Sequence, residues 1–179
     1  MYYLKCFILY SILGFVFESV VYKVSGSSDH SGVLLGPYTL VYGFGGLFTI
    51  IINNYISKFD LNVFIKYLLL FIIFTIICTL TEYLIGHLIN IIFKFDKWNY
   101  LDKRFPIGKY ICLDYALVWG LLSTSIIYFL KPFFDKVLEM VPSNTTIFTF
   151  SIMLIDLIYT LITKGKFSLW FFFLFWVMN

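Results

Sequence analysis

Residues 63–93, VFIKYLLLFIIFTIICTLTEYLIGHLINIIF, carry only Lys66, Glu82 and His87 among charged and imidazole side chains. As one helix the stretch would measure about 46 Å, against a hydrocarbon core of about 30 Å. A run this long and this apolar fits a transmembrane helix that tilts, bends or protrudes. Thr79, Thr81 and Gly86 interrupt it beside Glu82, so the sequence predicts local distortion there. The rest of the chain has the same character, with further apolar runs at 4–22, 38–57, 110–130 and 147–163. With 61% hydrophobic and 13% charged residues, the composition is that of an integral membrane protein, since soluble domains are about a quarter charged. The expected fold is all-α: a polytopic transmembrane helical bundle of about five spans, forming one membrane domain over 1–179.

The N-terminal run lacks a small-residue cleavage signature and reads as a retained first helix. Gly14 and Ser11 give that helix a narrow face for close approach, and Glu18, one turn beyond Gly14, shares it. The loop at 23–37 ends in GVLLGPY, apolar but bounded by Gly32, Gly36 and Pro37, which suits a dip back toward the bilayer. Gly36, Gly43 and Gly45 are candidate packing or pathway glycines. The YGFGG cluster lies inside a membrane segment and has no Lys-Ser/Thr at Walker spacing, so it is not a phosphate loop. After the fourth span, KPFFDKVLEMVP reads as a short amphipathic interfacial helix with Pro132 at its start and Pro142 at its end. The terminal FSLWFFFLFWVMN has an apolar core too short for an unassisted span, and is expected to lie at the interface, to re-enter, or to form half of a helix completed by another copy.

Four carboxylates, Glu18, Glu82, Asp114 and Asp156, fall on four different expected spans. Polar groups in hydrocarbon need partners, so a polar interior is the economical reading. Ser11, Thr79, Thr81, Tyr83, Tyr115, Tyr159 and His87 are the available donors. His87 stands about 140° round the helix from Glu82 and is not a direct partner. The candidate intramembrane polar site is therefore Glu18, Glu82, Asp114 and Asp156, with Tyr83 and His87. Such a site can contact a cation or cationic solute, pass protons, or hold helices together.

The loop at 94–109, KFDKWNYLDKRFPIGK, interleaves basic residues with aromatics; Trp98, Tyr100, Lys103 and Arg104 are its candidate interface residues. That mixture suits lipid headgroups or a docked protein. It offers no continuous basic face for nucleic acid. Lys5, Lys58, Lys66, Lys131 and Lys136 fall on one side of a five-span arrangement. Lys23, Lys94, Lys97, Lys103, Arg104, Lys109, Lys164 and Lys166 fall on the other, which places the N-terminus outside and the C-terminus in the cytoplasm. No metal set is signposted by two histidines and three dispersed cysteines, and no cofactor is expected. GxSxG, HExxH and DxxD are absent, which argues against a membrane hydrolase.

LGFVFES at 13–19, GVLLGPYTLVYGFG at 32–45, TEYLIGHLINIIF at 81–93, WNY at 98–100 and YICLDYALVWG at 110–120 occur in this order. Together they resemble the bacterial family of putative ABC-transporter type IV permeases, common in Firmicutes, over roughly 10–125. In that resemblance Glu18 matches the first-helix acid, Gly36 and Pro37 a G-P step, and Tyr42, Gly43 and Gly45 a Y-G-x-G block. Glu82 and Tyr83 match an E-Y pair, and Trp98 and Tyr100 an aromatic loop motif. His30 and Ser31 stand where the family often has Asn-Arg, Thr39-Leu40 replace a Cys/Thr-Pro, and Pro106 replaces an Asn. The resemblance implies a permease component in the cell membrane, working with membrane lipids, a separate ATPase subunit, and a second membrane subunit or further copies of itself. The contrasting expectations are a structural or regulatory membrane protein and, behind it, a lipid-modifying enzyme.

Overall fold

The computed structural model describes residues 1–26 and 31–165. The terminal segment at 167–178 and His30, both singled out above, lie outside the described residues. The chain forms α1 (Tyr2–Val24), α2 (Leu40–Ile56) and α3 (Val63–Phe93). Two short strands follow, β1 (Pro106–Gly108) and β2 (Ile111–Cys112), and then α4 (Leu113–Ser125), α5 (Lys131–Met140) and α6 (Ser143–Thr163). Four helical stretches are long and apolar enough to cross a bilayer: α1, α3, the continuous Leu113–Met140, and α6. The protein is a multi-pass helical membrane protein.

The N-terminus, the α2–α3 turn and α5 gather at one end of the bundle. Tyr2 donates to Asp135 (2.7 Å), the Lys5 ammonium donates to the Leu138 carbonyl (2.8 Å), and Lys131 pairs with Asp135 one turn away (2.6 Å). Cys6, Tyr10, Ile56, Leu70, Phe74 and Leu138 form the core beneath. At the opposite end lie the loop after α1, residues 94–112 and the C-terminal end of α6.

At 17 residues α2 is shorter than the span expected at 38–57. The N–H of Thr39 donates to the carbonyl of Ser11, midway along α1 (2.9 Å), so α2 starts inside the bundle. The apolar stretch 32–38, irregular in backbone, leads into it. The α1–α2 seam is close because its small residues face aromatic ones. A Cβ on Gly14 would overlap the Tyr42 ring, one on Gly43 the Ser11 hydroxyl, and one on Gly46 the Tyr10 ring. Gly45 has only ordinary van der Waals space toward Cys78.

The distortion expected in the third span is absent: α3 runs unbroken from 63 to 93. Thr81 bonds the Ile77 carbonyl four residues back (2.8 Å), while the buried Thr79 hydroxyl has no partner among the described residues. The irregularity falls instead at Ile126–Leu130, a π-helical turn in which the Lys131 N–H reaches the Ile126 carbonyl. Pro132 follows at once. Its ring would crowd the carbonyl four residues earlier in an α-helix, and the wider turn relieves that clash, so the expected interfacial helix continues α4 without a break. The loop 94–112 also differs from a plain loop. Pro106 and Gly108 pair with Cys112 and Ile111, and Leu113 N–H donates to the Phe105 carbonyl (3.0 Å), which closes a small hairpin over the entry to α4.

A candidate polar site between α1, α3 and α4

Glu82 projects from the C-terminal half of α3 and is buried, 8% exposed. Its two carboxylate oxygens take one donor each. The Tyr100 hydroxyl, reaching in from the loop, donates to Oε1 (2.6 Å), and the Trp119 indole N–H, from α4, donates to Oε2 (3.0 Å). Tyr100 is fixed by stacking on Tyr115 (centroids 4.8 Å apart, 16° between planes) and by its own N–H on the Lys109 carbonyl (2.8 Å). Burial pushes the Tyr100 phenol well above its ordinary pKa, and the nearby Glu82 carboxylate adds to the shift, so it stays a proton donor.

Glu18 approaches from α1, half-buried. It accepts from Tyr22 OH (2.8 Å), Ser31 OH (2.7 Å) and the Gly32 N–H (3.4 Å); Gly32 has φ +70°, a conformation that favours glycine. Ser31 is also within hydrogen-bond distance of Thr39 (3.1 Å). Tyr42 sits within electrostatic reach of both Glu18 and Glu82. Its ring packs edge-on against Trp119 (5.7 Å) and Phe17 (6.5 Å), so aromatic groups wall the space between the two acids. Two carboxyl groups held by neutral donors, with no ion pair at either among the described residues, form an acidic polar centre in an apolar bundle.

The other expected members lie elsewhere. Asp156 on α6 binds the loop at 32–38, accepting from Leu35 N–H (3.1 Å), Gly36 N–H (2.8 Å) and Tyr38 OH (2.5 Å), and also accepts from Thr160 OH (3.1 Å). Gly36 is required there by the Tyr38 ring, which a Cβ would overlap. Asp114 is exposed in the first turn of α4, where a carboxylate complements the helix dipole. Tyr83 and His87 are exposed on α3, with the imidazole edge-on between Tyr83 (4.6 Å) and Tyr110 (4.9 Å). In the loop, Trp98 packs beside Gly86, Arg104 lies over the Phe105 ring (5.0 Å), and Lys103 is exposed.

The sequence reading did not single out Trp119 and Tyr42 as site residues or Asp96 as a loop anchor. The indole of Trp119 follows Asp114 by five residues and reads as span packing; only the fold turns its N–H to Glu82. Asp96 accepts from Asn90 (2.8 Å), Tyr110 OH (2.5 Å) and Lys109 (2.7 Å), tying the hairpin to the end of α3.

The chain matches the family described as putative ABC-transporter type IV over residues 5–163. It belongs to that family. The matched range runs from α1 to the end of α6 and so contains both acids of the polar centre, the loop at 32–38 and the hairpin. No curated protein matches the chain, and no solved structure does.

The hydrogen bond from Lys109 holds the Asp96 carboxyl below its usual range, with Tyr110 contributing next. A depressed folded pKa means the stabilisation is complete above the unfolded value of about 3.9 and is lost as pH falls through the lower folded value. Residues 100–112 are therefore expected to keep their protection from hydrogen exchange through mildly acidic pH and lose it only in strong acid. Asp96→Asn is expected to bring that loss to neutral pH. Equal exchange, corrected for intrinsic rate, in Asp96→Asn and the native chain at pH 7 would remove Asp96 as the anchor.

Proposed function

We propose that the chain is the membrane component of an ATP-driven permease, with Glu18 and Glu82 forming its contact for a cation or cationic solute. The observation that carries the reading is the pair itself: two acids flanking Tyr42 inside an apolar bundle, each held by neutral donors and neither in a salt bridge among the described residues. Intramembrane acids without structural cations are most economically explained by a visiting one. Family membership supports the transport class. The chain has no Walker A motif, so the ATPase is a separate subunit, and a pathway of this size is completed by a second membrane subunit or another copy.

The bundle end that carries the hairpin faces the cytoplasm in this reading. Lys23, Lys94, Lys97, Lys103, Arg104, Lys109 and Lys164 gather there against Lys5, Lys58, Lys66, Lys131 and Lys136 at the other end. An ATPase docked on the hairpin would move Tyr100, and Tyr100 touches Glu82 directly. Coupling then needs no longer route.

The Asp156, Asp96 and Asp135 anchors favour the second reading, a structural or regulatory membrane protein, because in them carboxylates act as pins. Purification from native membranes in mild detergent, with quantitative mass spectrometry of what remains bound, separates the two. A stoichiometric ATPase is the expected result. Recovery of this chain alone would overturn the permease reading.

A further inference from the structure

The hairpin stands beside the last turns of α3, not beyond them. Tyr110, at its base, packs its ring edge-on against His87 (centroids 4.9 Å apart) and lies against Gly86. At that level Leu88 is 52% exposed, and one turn nearer the end of α3 Ile91 is 56% exposed. A membrane helix that exposes leucine and isoleucine at this depth meets lipid there, so the hairpin lies at lipid depth too. We propose that the outer edge of the hairpin, Phe105 and Ile107, is seated in the bilayer interface, and that Lys103 and Arg104 hold the phosphodiester of an anionic phospholipid.

The edge continues a surface that already faces lipid. The Leu113 N–H donates to the Phe105 carbonyl (3.0 Å), which sets Phe105 beside the first turn of α4, where Leu113 and Leu117 are exposed. Phe105 and Ile107 leave 46% and 67% of their surface uncovered. The fold holds them out: Pro106 and Gly108 pair with Cys112 and Ile111, and the Lys109–Asp96 salt bridge (2.7 Å) ties the hairpin to the end of α3.

Charge decides which lipid. The Arg104 guanidinium lies over the Phe105 ring (5.0 Å), so a cation sits directly on the apolar edge, and Lys103 beside it is exposed. Neither is in a salt bridge among the described residues, and Asp102 is the one acid between 99 and 108. An anionic headgroup brings a phosphodiester with no cation of its own, whereas a zwitterionic one brings an ammonium toward Lys103 and Arg104. The seat also bears on the polar centre, because the Lys103 N–H donates to the Tyr100 carbonyl (3.0 Å) and the Tyr100 hydroxyl to Glu82. The assignment does not depend on the transport reading: an ATPase that fails to copurify leaves it standing, and a failure of lipid capture leaves the copurification result untouched.

The test places a photoreactive phenylalanine analogue at position 107 of the full chain and identifies by mass spectrometry what it captures, in native membranes and in vesicles of equal phosphatidylglycerol and phosphatidylcholine. Lipid adducts are expected in both. In the vesicles phosphatidylglycerol is expected to exceed phosphatidylcholine about fivefold, the scale of one cation at an anionic lipid surface. Combining Lys103→Gln with Arg104→Gln is expected to bring the two lipids to parity while total lipid capture persists, since the apolar contacts remain. Equal capture of both lipids by the chain with its native cations overturns the proposal, as does a preference that survives the double substitution. A protein adduct in native membranes would make the edge a subunit contact, and the absence of any adduct would put it in water; either result overturns the lipid seat.

Discussion

Replacing Asp156 with alanine is expected to lower the unfolding free energy by about 2–3 kcal/mol and to release residues 32–38 from α6. The carboxylate is the common acceptor for two backbone N–H groups and the hydroxyls of Tyr38 and Thr160, and no other acceptor among the described residues serves Gly36 N–H or Tyr38 OH. Tyr38 is buried, so its orphaned hydroxyl carries most of the loss. Removing an acid from a membrane helix also removes part of its insertion cost, which keeps the net effect from reaching the sum of four bonds. Asp156→Asn is expected to fall between native and alanine, since either orientation of the amide turns an NH₂ toward a donor. Thermal unfolding in one detergent, together with hydrogen exchange over 32–38, checks both variants. An alanine variant within about 0.5 kcal/mol of native would show that the loop is held by its apolar contacts alone.

Glu82→Ala is the second large effect, with about 2–4 kcal/mol lost, because two donors that reach the carboxylate from separate elements are left without an acceptor. Tyr100 and Trp119 come from the hairpin loop and from α4, so the loss should appear as weaker docking of both on α3. Glu82→Gln is expected to cost only about 1 kcal/mol, since its remaining oxygen serves one donor while its NH₂ faces the other. That difference makes glutamine the informative variant for function. A permease that uses the charge loses transport while its thermal unfolding barely moves; a protein that uses the carboxylate only as a pin shows a graded loss of stability from Gln to Ala and little else. Native-like stability in Glu82→Ala would remove Glu82 from the architecture of the site.

The membrane class, the positions of the long helices and the family motifs were legible because each depends on local chemistry. A 31-residue run this apolar reads as a membrane helix, and the acid within it was expected to turn toward protein, as Glu82 does. What remained open was which acid meets which donor. Glu18, Glu82, Asp114 and Asp156 look alike in sequence, yet Glu18 and Glu82 share the surroundings of Tyr42, Asp156 pins a loop 120 residues away, and Asp114 starts a helix in the open. The expected donors Ser11 and Thr81 bond their own helix, while the donors actually used on Glu82 come from 18 and 37 residues further along. By itself the sequence determined that this chain is a helical membrane bundle with acids that need partners, because hydrocarbon imposes that on every residue separately. Only the tertiary structure decided the partners, because a hydrogen bond between elements depends on helix rotation, depth and crossing, and those are set by packing contacts spread across the whole chain.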